Sequence, residues 1–163
     1  MQAEISRSRL TVGILAATFA LTVRAHGDVT PHPVDTSSLK PIGKEWVLPN
    51  PYRGDKKAVA VGAEGYAHNC AACHGLNANA GGVAPDLLAL GKDCVGMASK
   101  DQQASCLKDS DDYFKDVTLH GKKNGEGRFT MPAYESVFTQ EAVWAVKAFI
   151  DSRTFEASGK KMQ

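Results

Sequence analysis

The stretch Gly65–Ala78 reads GYAHNCAACHGLNA. Cys70 and Cys73 stand three positions apart, and His74 follows the second cysteine directly. Three chemistries use such a pair: a redox dithiol, half of a zinc site, or thioether attachment of a porphyrin. The chain around the pair has to choose among them.

Upstream, KKAVAVGAEGYAHNCAACH is rich in alanine and reads as a helix. Gly62, Tyr66, Cys70 and His74 recur every four residues, which makes one slowly rotating stripe on a helix. A glycine inside a helix is unfavourable by about 1 kcal/mol relative to alanine, so close approach of another helix is expected at Gly62. Residues 75–91 read as a loop containing GGVAPDL, with a short helix starting at Pro85. Residues 92–111 are polar and read as a loop bracketed by Cys94 and Cys106. DDYFKDVTLHG follows as a helix, with the acidic cluster Asp109, Asp111 and Asp112 as its start. KKNGEGRFTMPAY reads as a glycine-containing loop. A last helix is expected from Thr139 to Arg153, with Ala142, Val143, Val146, Phe149 and Ile150 on its apolar face. Nothing alternates with a strand period, so the expected class is all-α.

The ends of the chain are of another texture. Arg7 and Arg9 precede an uncharged apolar run from Leu10 to Val23, and small Ala25 follows. That is the pattern of a secretory signal peptide over residues 1–25, cleaved near Ala25. The run is short for a membrane span, so no stable insertion of the mature form is expected. Residues 26–55 hold five of the seven prolines and read as an extended arm, laid over the domain through Trp46, Val47, Leu48 and Tyr52. Residues 56–153 form the one compact domain, and residues 154–163 a flexible tail. The formal net charge of +1 gives no electrostatic case for nucleic acid.

Export to an oxidising compartment bears on the cysteines. Zinc wants four ligands in two spaced pairs, and Cys94 and Cys106 make no second CxxC. A thioredoxin-like dithiol wants a βαβ setting. Haem c attachment needs only what stands here: two thiols and a histidine next to the second. Cys70 and Cys73 are therefore read as the covalent links of one haem c, with His74 as proximal iron ligand. Met131, Met97 and His120 compete for the opposite axial position. Met131 is preferred because Pro132 stiffens its loop. Cys94 and Cys106 are expected to form a disulfide. His68 is expected to be exposed.

With those residues in place, residues 56–153 resemble the class I c-type cytochromes. The shared pattern is Gly62, Tyr66, Cys70, Cys73 and His74, then Pro85, then Met131–Pro132, then a C-terminal helix with Phe149. The resemblance implies first and last helices crossed at Gly62, Tyr66 and Phe149 beside one haem, with the Pro85 carbonyl against the second nitrogen of His74. The arm together with NPYRG, CAACHGL, GGVAPDL and MPAYESVFTQEAVWAVKAFI is similar to the soluble c-550 group, the electron acceptors of quinoprotein alcohol dehydrogenases. That likeness implies a periplasmic, monomeric, non-enzymatic carrier. Its donor would carry pyrroloquinoline quinone (PQQ), and its acceptor would be a terminal oxidase or another cytochrome. Lys92, Lys122 and Lys123 are candidates for a docking patch at the haem edge. A haem enzyme or gas sensor with an open distal position is the competing class, with His120 and Arg128 as its only recruits.

Overall fold

A computed structural model describes residues 30–79 and 84–162. The expected signal peptide and Gly81–Val83 of the GGVAPDL stretch lie outside the described residues. The chain order is α1 (Lys56–Asn69), α2 (Ala71–His74), α3 (Ala89–Gly96), α4 (Lys100–His120), β1 (Lys122–Lys123), β2 (Phe129–Met131) and α5 (Gln140–Ala157).

Helix α1 starts where Asp55, in extended conformation, accepts hydrogen bonds from the N–H groups of Lys57 and Ala58. It packs against α5, and Gly62 is the reason the two come so close. A Cβ at Gly62 would stand 1.9 Å from the Ala145 carbonyl oxygen. One turn on, the rings of Tyr66 and Phe149 meet with centroids 5.0 Å apart. The crossing expected at Gly62, Tyr66 and Phe149 is the spine of the fold. Helix α5 is buried over most of its circumference, from Ala142 through Ala148 to Phe155, as befits a helix surrounded by other elements.

The helix expected through His74 instead breaks at Cys70. The Cys70 N–H still donates to the Tyr66 carbonyl, but the next bonds run from Cys73 and His74 back to the Cys70 carbonyl. A separate single turn, α2, results.

The segment read as a polar loop over 92–111 is helical. Helix α3 begins at Ala89, later than Pro85, and α4 is a 21-residue helix starting at Lys100, with Ser99 as its cap. Buried Leu107, Asp111, Phe114 and Thr118 recur at helical spacing, so a buried face exists despite the polar composition. The acidic cluster therefore lies inside a helix and does not start one. Cys94 and Cys106 are joined as expected, tying α3 to α4. Closing a loop of that length contributes about 3 kcal/mol in the chain-entropy description.

Beneath that disulfide lies a second small core of Val95, Leu107 and Phe155, with Met162 against it. Phe155 explains why α5 continues to Ala157, past the expected end at Arg153. Residues 154–162 are accordingly not a free tail: the Lys160 ammonium donates to the Val95 carbonyl at 2.8 Å.

The loop KKNGEGRFTMPAY carries a short antiparallel ribbon pairing Lys122 with Met131 and Lys123 with Phe129. Asn124 builds its turn, its side-chain oxygen accepting from the N–H groups of Glu126 and Arg128.

Residues 30–55 carry no helix or strand; of the expected contacts, Tyr52 joins the core, Leu48 packs against it and the Trp46 ring meets that of Trp144. Trp46 and Val47 remain over a third exposed, while Leu39 and Tyr52 are buried. Gln140 grips the arm with three bonds, accepting from the Val47 N–H and donating to the carbonyls of Gly43 and Glu45. Arg53 bonds both Asp111 of α4 and Asp151 of α5, and the fully buried Lys147 pairs with the same two carboxylates. Two cations and two anions thus share one dry site, which is tolerable only because each is paired.

Candidate functional site

Between α2, the Pro85 segment, α4 and the ribbon lies a cavity of about 330 Å³. Cys70, Cys73 and His74 line it at one side, and Met131 with Pro132 line it from the ribbon. Leu87, Leu90, Phe114, Val117, Phe138 and Val146 supply apolar walls.

Both thiols are free and face this space. Burial, with the neighbouring Cys73 second, pushes the Cys70 thiol up to about 12. His74 is buried, and its Nδ1 lies 2.9 Å from the Pro85 carbonyl oxygen. That oxygen can only accept, so Nδ1 carries the proton and Nε2 keeps its lone pair for a metal. The Pro85 carbonyl is thus the partner of the His74 ring.

The cysteine–histidine turn is held at both ends by tyrosines. Tyr66 donates its hydroxyl to the Gly75 carbonyl at 2.6 Å. Tyr134 donates to the Asn69 carbonyl at 2.7 Å. Burial is the main force keeping both hydroxyls protonated well above their ordinary range, with a Cys70 thiolate as the next contribution. Asn69 in turn braces α1, donating to the Gly65 carbonyl and accepting from the His32 N–H of the arm. Tyr134 and Asn69 were not singled out in the sequence. The signal available was position: Tyr134 lies three residues after Met131, and Asn69 immediately precedes Cys70.

Met131 is placed from several directions. Gly121, at φ +70°, ends α4, and a Cβ there would stand 2.4 Å from the Met131 carbonyl oxygen. Only glycine satisfies both the left-handed backbone and that approach. After the ribbon, the N–H groups of Tyr134 and Glu135 donate to the carbonyls of Thr118 and Leu119.

The other candidates fall elsewhere. Met97 caps α3, outside the cavity wall. His120 is exposed and bonded to Asp116, and Arg128 is exposed and paired with Glu126. Neither borders the cavity. His68 is exposed as expected. Lys122 lines the cavity mouth with its ammonium over the Tyr113 ring, and the Lys123 ammonium lies over Phe129. Lys92 is exposed on α3 and does not border the cavity. Among the described residues, no group of three or more histidine, cysteine or acidic side chains gathers around a metal-sized space. The zinc alternative is thereby left without a second cysteine pair, since Cys94 and Cys106 are spent on each other.

Two thiols, a tautomer-fixed imidazole and a thioether around one apolar cavity fit a haem c, and they define a c-type cytochrome. Residues 57–150 match the family described as cytochrome c oxidase, cbb3-type, subunit III. The chain is also 40% identical over 132 residues to cytochrome c550 of Pseudomonas aeruginosa, an alignment covering 78% of this chain and 81% of that protein. No solved structure gives a significant match. The chain belongs to the cytochrome c family. Among the described residues no helix is long and apolar enough to cross a membrane.

Proposed function

We propose that this chain is a periplasmic one-electron carrier and not an enzyme. Cys70 and Cys73 hold one haem c by thioether bonds, and His74 and Met131 are the axial iron ligands. The carrier takes electrons from a PQQ-dependent alcohol dehydrogenase and passes them to a terminal oxidase or another cytochrome. The observation that carries the reading is one apolar cavity bordered by both free thiols, by His74 with its Nδ1 tied to Pro85, and by Met131.

The bound haem supplies a one-electron iron couple. Everything else is done by the chain. His74 offers Nε2 because Pro85 occupies its other nitrogen. Met131 offers a soft, uncharged sulfur, which favours the reduced metal. The apolar walls exclude water and so disfavour the more highly charged oxidised state. No proton need move in such a cycle, and the two recruits of the competing class, His120 and Arg128, are exposed and paired with Asp116 and Glu126 away from the cavity.

The partner assignment rests on the likeness to the c-550 group, which the 40% identity to a cytochrome c550 supports. It is tested by mixing the oxidised protein with a PQQ alcohol dehydrogenase and its alcohol, and following haem reduction against salt. Reduction within turnover time, slowing as salt rises, is expected. An unreduced spectrum would rule out that donor.

A further inference from the structure

Met131 and His74 lie on separate pieces of chain, and one side chain links those pieces directly. Tyr134 follows Met131 by three residues, with Pro132 stiffening the interval. Its hydroxyl reaches the carbonyl of Asn69, the residue just before Cys70. The helical ladder does not serve that carbonyl, because the Cys73 and His74 N–H groups both go to Cys70. From Cys70 a single turn leads to His74. Tyr134 is itself buried and lines the cavity, so water does not compete for the bond.

We infer that Tyr134 is a positioning residue, a strut that fixes how far the Met131 sulfur stands from the imidazole of His74. The inference rests on the proposed ligation by those two residues. A methionine is a weak ligand on a flexible stem, so its hold on iron depends on the backbone that carries it. The backbone amide of Tyr134 is already fixed to Thr118, so the hydroxyl bond closes a rigid triangle of α4, ribbon and attachment turn. Tyr66 makes the same kind of bond at the far end of the turn, to Gly75, but carries no connection to the methionine strand. Tyr52 makes a third such bond, to Lys40, wholly within the arm. Tyr134 and Tyr52 therefore separate a role in ligation from a role in stability.

The test uses holoprotein of wild type, Tyr134→Phe and Tyr52→Phe. The readouts are the far-red sulfur-to-iron band of the oxidised form and cyanide affinity at neutral pH, with thermal melts alongside. Y134F is expected to weaken the band and bind cyanide about three- to tenfold more tightly than wild type, the size of one lost hydrogen bond. Y52F is expected to lower the melting temperature while leaving band and affinity unchanged. Should Y134F not accumulate, one glycine inserted between Ala133 and Tyr134 lengthens the strut and is expected to act alike. A wild-type band with Y134F, or the insertion, matching Y52F in cyanide affinity overturns the strut alone. A missing wild-type band overturns the Met131 assignment and the strut with it.

Discussion

The Nδ1 of His74 and the carbonyl oxygen of Pro85 stand 2.9 Å apart, which leaves Nε2 as the nitrogen available to the cavity. The proposed ligation would take the second iron ligand from the ribbon, where Met131 lines the cavity. Met131→Ala is therefore expected to lower the reduction potential by on the order of 0.1 V or more, within the roughly 0.8 V that axial ligands span. It should also open the oxidised protein to cyanide and the reduced protein to carbon monoxide. Redox titration and visible spectra check both; an unchanged potential would remove Met131 from the ligand set.

Gly62 and Gly65 make a matched pair for testing the helix crossing. At Gly62 the added methyl meets the backbone of Ala145, which cannot swing aside. Gly62→Ala should destabilise by about 3 kcal/mol or more, at the upper end of overpacking costs. At Gly65 it meets the side chain of Val34 in the arm, 2.8 Å away. Gly65→Ala should cost about 1 kcal/mol, absorbed by a shift of the arm. Urea titrations of the two variants measure the difference.

Arg53 joins the arm to α4 and α5 through Asp111 and Asp151. Arg53→Met leaves those two buried carboxylates with Lys147 as their remaining cation, besides the Asn50 N–H that donates to Asp111, and breaking a buried pair in this way costs about 3–5 kcal/mol. Hydrogen exchange should quicken across residues 39–53 and at the middle of α4. Protection unchanged there would mean that Gln140 and Tyr52 hold the arm without the charges.

Buried tyrosines set the alkaline limit. Burial raises Tyr52, Tyr66 and Tyr134 above their ordinary value of 10.0. Unfolding at high pH therefore releases protons that the folded state keeps. Their contribution is complete below pH 10 and is lost as pH climbs from there towards the folded-state values. Stability should be flat in this respect at neutral pH and fall above pH 10. Melts of Y134F and Y66F over pH 8–11 should show a shallower fall than wild type.

What the sequence disclosed and what it hid have separate physical causes. Gly62 and Tyr66 were legible because helical periodicity sets the crossing with α5, whereas the break at Cys70 that makes the attachment turn left no periodic signal. Pro85 was legible from the family pattern and Met131 from the proline beside it, and both line the cavity. Helix α4 was hidden by its own composition: Asp109, Asp111 and Asp112 look like solvated charge, yet Asp111 is fully buried because Arg53 and Lys147 come from distant segments to meet it. No local pattern announces such a meeting. Helix α5 outran its expected end because Phe155 packs under a disulfide whose other residues lie some fifty positions earlier. Tyr134 escaped notice for the same reason, since its role appears only when Asn69 is brought opposite.

Mass spectrometry of the purified protein tests the central claim most directly. The account predicts the added mass of one haem on the peptide containing Cys70–His74, with both thiols blocked to alkylation. A peptide of unmodified mass whose Cys70 and Cys73 both alkylate would contradict it.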